Sequence, residues 1–236
     1  MIAIEYRRIR KEYGANVVIR DFSLKVNKGE FVTIIGPSGC GKTTILKMVN
    51  GLVVPTHGEV FVNDESTKLT DIIALRRDTG YVIQGNILFP HMTVEKNIAY
   101  VPTLLNGKDK NKTDAAVSKW MKIVKLDETL RSRYPDQLSG GQQQRVGIAR
   151  ALATSPNILL MDEPFSAVDE ITRGGLQDEI CHIHKETGIT ILFVTHDINE
   201  ALKLGTKVLV MNGGEIRRYA SPEKLGMSCV AETLGV

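Results

Sequence analysis

The sequence predicts an α/β fold with a mostly parallel sheet, an N-terminal antiparallel β region and an inserted α-helical region. Apolar runs of strand length occur at residues 31–35, 158–161 and 190–194, as in parallel strands buried on both faces. The residues before this first run instead alternate between apolar and polar, which is typical of half-buried antiparallel strands. From about residue 85 to residue 153 the apolar spacing becomes helical.

The N-terminal region is predicted to consist of short strands joined by turns. Residues 2–10 form the first strand, and the turn-forming residues 13–16 follow it. The second strand, 17–26, places apolar side chains at even positions, namely Val18, Phe22, Leu24 and Val26. A tight turn at Lys28-Gly29-Glu30 leads into the first buried strand.

Strands and helices alternate in the rest of the chain, which favours parallel pairing. Helices are predicted at 42–50, ended by Gly51, and at 114–125 and 177–185. Trp120 lies beside the apolar stripe of the second helix, and we expect it to pack in the core. Further strands are predicted at 57–64, 81–83 and 207–211, the last followed by a hairpin turn at Asn212-Gly213-Gly214.

We predict one domain over residues 1–236, a length that suits a single large domain. Within it, 1–85 and 154–225 form the core with its antiparallel region, 86–153 form the helical subdomain, and 226–236 form a tail.

The composition excludes several classes of function. A net charge of +3 is too small to indicate a nucleic-acid partner. No apolar stretch approaches the roughly 18 residues of a membrane helix, so we expect any link to a membrane to come through a partner. The three cysteines have no metal-ligand spacing and no secretion signal precedes them, which favours a reducing cytoplasm.

A glycine-rich loop between the first buried strand and the following helix fits the P-loop pattern G-x-x-x-x-G-K-[ST]. Its backbone N–H groups and the start of the helix form an anion cradle for the phosphates of a nucleotide. Lys42 is placed to reach the β- and γ-phosphates, and the hydroxyl of Thr43 to bind Mg²⁺. The nucleotide-binding residues predicted here are Gly36, Pro37, Ser38, Gly39, Cys40, Gly41, Lys42, Thr43 and Thr44.

Two further strings carry chemistry. Asp162 and Glu163 end an apolar strand, where a carboxylate is costly unless it meets a cation or hydrogen-bond donors. Asp162 is therefore predicted to hold Mg²⁺ through water. A second anion-binding helix start is predicted at Ser139, Gly140, Gly141 and Gln142, before a helix over 143–152.

The three strings in this order resemble those of the ATP-binding cassette (ABC) ATPases, the subunits that drive ABC transporters. The resemblance covers about residues 2–225 and implies the ABC ATPase fold with ATP and Mg²⁺ as cofactors. It implies that Glu163 is the general base and that His196 contacts the γ-phosphate. It also implies that Gln84 touches Mg²⁺ or the water, that Tyr13 stacks on adenine, and that Asp169 belongs to a turn at 166–169 communicating across a dimer.

One chain has no use for two such anion sites on one γ-phosphate. The resemblance resolves this through a head-to-tail homodimer, in which Ser139 of each copy caps the ATP held by the other copy. It further implies membrane-spanning permease subunits and, indirectly, a solute-binding protein, with the chain at the cytoplasmic face of a bacterial membrane. Lys42 is expected to contribute to turnover as well as to binding.

Residues 81–84, 88–94, 97–99 and 101–102 look like those of importers of glycine betaine, carnitine and choline. The segment 85–102 lies where importers usually contact the membrane subunit. Three alternatives stay open: an export or lipoprotein-release ATPase, a non-transport ABC protein acting on DNA or ribosomes, and a nucleotide-gated module without turnover. A base at Glu163 speaks against the last.

Overall fold

The computed structural model describes residues 1–85, 88–107, 109–166 and 168–234. The chain forms two compact units, one of Met1–Arg76 with Thr187–Val236 and the other of Arg77–Glu186. The second unit includes the predicted helical range together with strands and a helix outside it, and the subdomain boundaries at 86 and 153 stay a prediction.

The first unit contains most of the strands. Numbered in chain order, its elements are β1 (Ile2–Tyr13), β2 (Asn16–Asn27), β3 (Phe31–Ile35), α1 (Lys42–Val49), β4 (His57–Val62), β5 (Glu65–Ser66), α2 (Ile72–Arg77), β8 (Thr190–Thr195), α7 (Ile198–Leu204), β9 (Lys207–Asn212), β10 (Glu215–Ala220) and α8 (Pro222–Leu234). The second unit supplies β6 (Thr79–Val82), α3 (Val94–Asn106), α4 (Lys110–Ile123), α5 (Gly140–Leu152), β7 (Ile158–Asp162) and α6 (Glu170–Thr187).

The strands of the first unit pair in the order β5-β4-β1-β2-β10-β9-β3-β8. Strands β5, β4, β1 and β2 are antiparallel neighbours, which forms the predicted N-terminal antiparallel region. Strand β3 lies between β8 and β9 and is parallel to both. Strands β9 and β10 form the hairpin predicted from Asn212-Gly213-Gly214, and β10 contacts β2. The predicted α/β class is confirmed.

The predicted alternation along β2 is correct at its end and wrong at its start. Phe22, Leu24 and Val26 are buried, but Val18 is half-buried while Ile19 is fully buried. The pairing register of β1 and β2 shifts between Ile9 and Lys11, opposite this point. An extra residue in one strand moves the following side chains to the other face, so the period-two rule fails across the bulge.

The parallel core of the first unit is covered by helices that the sequence analysis only partly anticipated. Helix α1 occupies its predicted place and ends before Gly51, which has a φ of 64°. Ile35 and Val210 belong to one core cluster with Ala201 of α7 and Val230 of α8. Helix α8 kinks at Gly226, and its second part lies in the segment predicted as a tail.

The second unit pairs β6 with β7 in parallel, and its helices α3 and α5 pack together, as do α3 and α4. Val117, Trp120, Met121 and Val124 are buried, which confirms the predicted core stripe. Side chains cap the helices: Thr93 accepts from Lys96 N at the start of α3, and Asp109 accepts from Lys112 N at the start of α4. Among the residues that the structure describes, no helix is both long and apolar enough to cross a bilayer.

Two glycines at positive φ provide a test of the β1–β4 packing. At Gly58, with φ of 81°, an added Cβ would lie 2.2 Å from Arg8 O, whereas at Gly14, with φ of 59°, it would meet nothing within 4 Å. We expect Gly14→Ala to lower the free energy of unfolding by about 1 kcal/mol, the cost of the left-handed conformation alone. Gly58→Ala adds a backbone clash and should cost about 3 kcal/mol. Urea denaturation of both variants measures the difference, and equal losses would contradict the clash.

Candidate functional site

The glycine loop after β3 packs too closely for side chains at two positions. A Cβ on Gly36 would lie 2.3 Å from Met211 O, and one on Gly41 would lie 2.3 Å from Cδ1 of Ile19. Gly41 also has a φ of 100°, which side chains rarely adopt. The loop thus reaches its shape only with glycine at these two positions of the predicted P-loop.

Lys42 begins α1, and its side chain is folded back over the loop. The ammonium Nζ donates to Gly36 O at 2.7 Å and to Pro37 O at 3.0 Å, and the residue is 7% exposed. Gly41 at the N-cap has no side chain to bond the first-turn N–H groups. These groups and the positive end of the helix dipole can therefore bind an anion, with Lys42 beside them.

The other loop residues surround this helix start. Pro37, Ser38 and Gly39 are exposed, and Thr43 and Thr44 are half-buried in the first turn of α1. Cys40 is a buried free thiol whose pKa burial raises above its ordinary value. A thiol that stays protonated is a poor nucleophile, which agrees with a packing role for this cysteine. The sequence-predicted phosphate loop is thus assembled in the first unit.

His196 lies at the same sheet edge as the glycine loop. Strands β3 and β8 are parallel with Ile35 opposite Thr195, so Gly36 and His196 leave neighbouring strands at the same level. The His196 side chain is exposed. An imidazole at this edge can donate a hydrogen bond to a group bound by the loop.

Tyr13 is the last residue of β1 and pairs with Asn16 across the turn. The residue is 49% exposed, and Nζ of Lys11 lies 4.7 Å from the ring centroid. An exposed aromatic face next to a cation can stack on a planar ring.

The acids lie in the second unit, at the end of β7. Asp162 closes the strand and is 3% exposed, and Glu163 follows with a φ of 43°. Strand β6 ends beside it, with Val82 opposite Met161. From the loop after β6, Gln84 Nε2 donates to Glu163 Oε2 at 3.2 Å. The structure thus brings together Gln84 and Glu163, which lie far apart in the sequence.

The predicted second anion site is the N-terminus of α5. The helix begins at Gly140, earlier than the predicted residue 143, because Ser139 caps it. Ser139 Oγ accepts from Gln142 N at 3.3 Å, while Gln142 Oε1 accepts from Ser139 N at 2.9 Å. This capping box satisfies two donors and leaves the others of the first turn to bind an anion.

The start of α6 lies directly against this helix. A Cβ on Gly141 would come within 2.5 Å of Thr172 Cγ2. Asp169 caps α6, since Oδ1 accepts from Thr172 N at 3.0 Å, and this bond holds the Asp169 pKa below its ordinary value. Of the predicted turn 166–169, Ala167 lies outside the described residues.

An ion pair that sequence reasoning missed supports the second anion site. Glu179 of α6 is buried, and its Oε1 lies 2.8 Å from Arg145 Nη2 and 3.8 Å from Lys125 Nζ. Arg145 also donates to the carbonyl of Lys125 at 3.1 Å. The Arg145 guanidinium therefore ties α5 to α6, and no local sequence pattern signals a contact between residues so far apart in the chain.

The oxygens of Asp162 and Gln84 suit a hard divalent cation, which prefers carboxylate and carbonyl ligands. Among the described residues, no three acids, histidines or cysteines cluster as a metal cage would require. Mg²⁺ fits this arrangement because it is held by one or two protein oxygens and keeps several waters or phosphates as its other ligands.

Comparison with known proteins gives consistent relatives. A family model described as "ABC transporter" matches residues 19–166. The carnitine transport ATP-binding protein OpuCA of Listeria monocytogenes is 48% identical over 223 residues, which is 94% of this chain and 56% of that protein. The glycine betaine uptake system ATP-binding protein YehX of Escherichia coli is 46% identical over 93% of this chain and 71% of its own length. The chain thus spans little more than half of OpuCA.

Solved structures agree with the fold. The bacterial ABC transporter cassette MJ0796, solved as a dimer, has a TM-score of 0.82 and 35% identity, with 93% of this chain and 98% of that chain covered. The cbiO1 protein of Clostridium perfringens, part of the ABC transporter complex cbiONQ, has a TM-score of 0.87 and 25% identity, covering 99% and 94%. The glycine loop, the strand-end acids and the capped α5 occur in a chain that belongs to the ABC transporter family of ATP-binding proteins.

Proposed function

We propose that this chain binds and hydrolyses ATP and thereby powers the import of a quaternary amine through partner membrane subunits. One observation carries this proposal: both anion-binding helix starts and a strand-end carboxylate held by a glutamine occur in one chain of this family. A chain that only bound ATP would need the helix start at α1 but neither the second helix start nor the strand-end carboxylate.

ATP is bound through its phosphates by the first unit. The N–H groups of the loop and of α1 bind the phosphate oxygens, and Lys42 exchanges its bonds to Gly36 O and Pro37 O for the β- and γ-phosphates. Tyr13 stacks on the adenine. Thr43, Gln84 and Asp162 would hold Mg²⁺, which would supply positive charge to neutralise the phosphates.

Hydrolysis is assigned to Glu163, which accepts a proton from the attacking water as general base. The bond from Gln84 Nε2 orients the Glu163 carboxylate, and it can break when Gln84 turns toward the nucleotide. His196 donates to the γ-phosphate and stabilises the charge that develops there. Lys42 contributes to turnover in the same way, by stabilising the charge that develops on the γ-phosphate.

The N-terminus of α5 requires a second copy of the chain. Ser139 and Gly140 are exposed at this helix start, with Gly141 and Gln142 half-buried beside them, and the first unit already holds one phosphate cradle. In a head-to-tail homodimer, Ser139, Gly140, Gly141 and Gln142 of one copy close over the ATP of the other. Asp169, next to this helix start, then lies at the dimer interface. Both MJ0796 structures are described as dimeric, one of them bound to ADP and Pi.

ATP thus stabilises the closed dimer, and its hydrolysis removes the contacts that favour closure. The work step follows from the difference in ATP affinity between the closed and open states. The opening and closing of the dimer drive a conformational change in the permease subunits of the membrane. The chain binds to these subunits and is thereby located at the membrane. A solute-binding protein is an indirect partner, and nothing in the charge of the chain favours a nucleic acid.

The transported solute is inferred from relatives. Relatives at 43–48% identity are named for the transport of carnitine, choline or glycine betaine, and one at 47% for the import of osmoprotectants; a Bacillus cereus spermidine/putrescine import protein, PotA, is 42% identical. Where these names give a direction it is uptake or import, as for YehX, OsmV and PotA, so an export or lipoprotein-release ATPase is not favoured.

Glu163→Gln should leave ATP binding intact and lower the hydrolysis rate by about 10²-fold or more, because the amide cannot accept the proton of the water. Phosphate release and nucleotide titration measure the two effects, with Glu170→Gln, an exposed acid at the start of α6, as the matched control. Near-normal turnover in Glu163→Gln would remove Glu163 from the role of base.

Ser139→Arg should abolish ATP-driven dimerisation while the monomer still binds ATP, because the large arginine side chain fills the space over the helix start. Gel filtration of Glu163→Gln with and without Ser139→Arg in the presence of ATP gives the readout. Ser132→Arg, at another exposed serine of the same unit, controls for added charge. Dimers that persist with Ser139→Arg would contradict the role across the dimer.

Transport is tested by expressing the chain with the permease and binding-protein genes that neighbour its own. Cells lacking other uptake systems should accumulate labelled glycine betaine, carnitine or choline, and Glu163→Gln should abolish the uptake. Accumulation of spermidine in place of these quaternary amines would contradict the proposed solute class and leave the ATPase assignment standing.

A further inference from the structure

A buried carboxylate braces the turn that carries His196. Glu200, in the first turn of α7, is 7% exposed, and its Oε2 accepts a 2.5 Å hydrogen bond from the hydroxyl of Thr195. Thr195 is the last residue of β8 and is 2% exposed. Because the bond joins the residue before His196 to the helix after it, the turn between them is closed into a ring.

The residue after His196 is held by the same ring. Thr195 Oγ1 accepts from Asp197 N at 3.0 Å while it donates its own proton to Glu200, so one hydroxyl joins both residues. Asp197 Oδ1 in turn accepts from Glu200 N at 3.2 Å. The backbone on both sides of His196 is therefore fixed with respect to Glu200.

Helix α7 is itself anchored to β3, the strand that leads into the glycine loop. Thr33 Oγ1 donates to Ala201 O at 2.9 Å, and Ala201 belongs to the same core cluster as Ile35. At the end of the helix, a Cβ on Gly205 would lie 2.6 Å from Thr33 Oγ1. Glu200 is thus held in place by β3, the same strand that holds the phosphate loop.

Capping alone does not account for Glu200. Asp197 already caps α7 through the N–H groups of Asn199 and Glu200. The hydrogen bond between Thr195 and Glu200 adds a direct link from β8 to α7, which the cap of α7 does not supply.

We propose that Glu200 is a positioning residue that holds His196, through Thr195 and Asp197, at a fixed place beside the phosphate loop. The inference rests on the proposed function, in which His196 contacts the γ-phosphate. Glu200 and Thr195 do not touch ATP; they determine where the His196 ring can lie. A displacement of about 1 Å in such a group is enough to slow a reaction by up to 10²-fold.

The experiment compares steady-state hydrolysis by the full chain carrying Glu200→Leu, Glu200→Gln, Thr195→Val or Thr195→Ser. Glu200→Leu and Thr195→Val should each lower kcat about 10-fold, with KM and the Kd for ATP changed less than twofold. Glu200→Gln and Thr195→Ser keep the acceptor and the hydroxyl and should retain kcat within about twofold. Asn199→Leu, at an exposed neighbour on α7, should leave kcat unchanged.

The decisive readout is the double variant His196→Ala/Glu200→Leu. If Glu200 acts through His196, the double variant has the kcat of His196→Ala alone, and the two losses do not add. Urea denaturation identifies any variant that is largely unfolded, and the Thr195 pair replaces the Glu200 pair in the cycle if Glu200→Leu does not fold.

The outcomes separate this inference from the proposed function. Additive losses in the double variant, or a normal kcat in both Glu200→Leu and Thr195→Val, overturn the positioning role while leaving the ATPase assignment intact. A normal kcat in His196→Ala overturns the proposed contact of His196 with the γ-phosphate, and the positioning role falls with it.

Discussion

The parallel pairing of β3 with β8 determines where the chemistry of the first unit can occur. With Ile35 opposite Thr195, both strands end at one level, and the glycine loop and His196 follow from adjacent ends. The carboxyl ends of parallel strands are where open α/β sheets bind ligands. Helices α1 and α7 start from this edge, so the N–H groups of α1 and the His196 turn face the same place. A shift of the register by one residue would separate the loop from the histidine.

In the second unit, too, parallel strands end at one level and bring functional side chains together, here an amide and two carboxylates. Parallel β6 and β7 deliver Gln84 and Asp162–Glu163 to the end of their pair, and the hydrogen bond from Gln84 to Glu163 crosses it. Close packing defines the other site: Gly141 leaves room for Thr172, and Arg145 pairs with buried Glu179. The start of α5 is therefore held against the start of α6, and Ser139 and Asp169 are the caps of these two helices. The proposed binding across a dimer needs both helix starts to be rigid.

Much of this was predictable, for identifiable reasons. Strand β3 is bounded as its apolar run predicts, and Trp120 is buried as its helical spacing predicts, because burial on a regular element repeats with the element's period. The prediction failed at Val18, where a bulge changes the face, and at the N-terminus of α5, where the cap adds a turn. The ion pair of Glu179 could not be predicted, because it depends on how α5 and α6 pack. The bond of Glu200 is local, but it depends on the exact course of the turn between β8 and α7, which no sequence pattern specifies.

The contact of Gly41 with Ile19 joins the antiparallel region to the phosphate loop. Ile19 is fully buried and supplies no ligand, yet its methyl group occupies the space that any side chain at residue 41 would need. A side chain at residue 41 would have to displace this methyl group, and its backbone would also be strained at a φ of 100°. A residue of the antiparallel region that supplies no ligand thus helps to determine which residue the phosphate loop can carry.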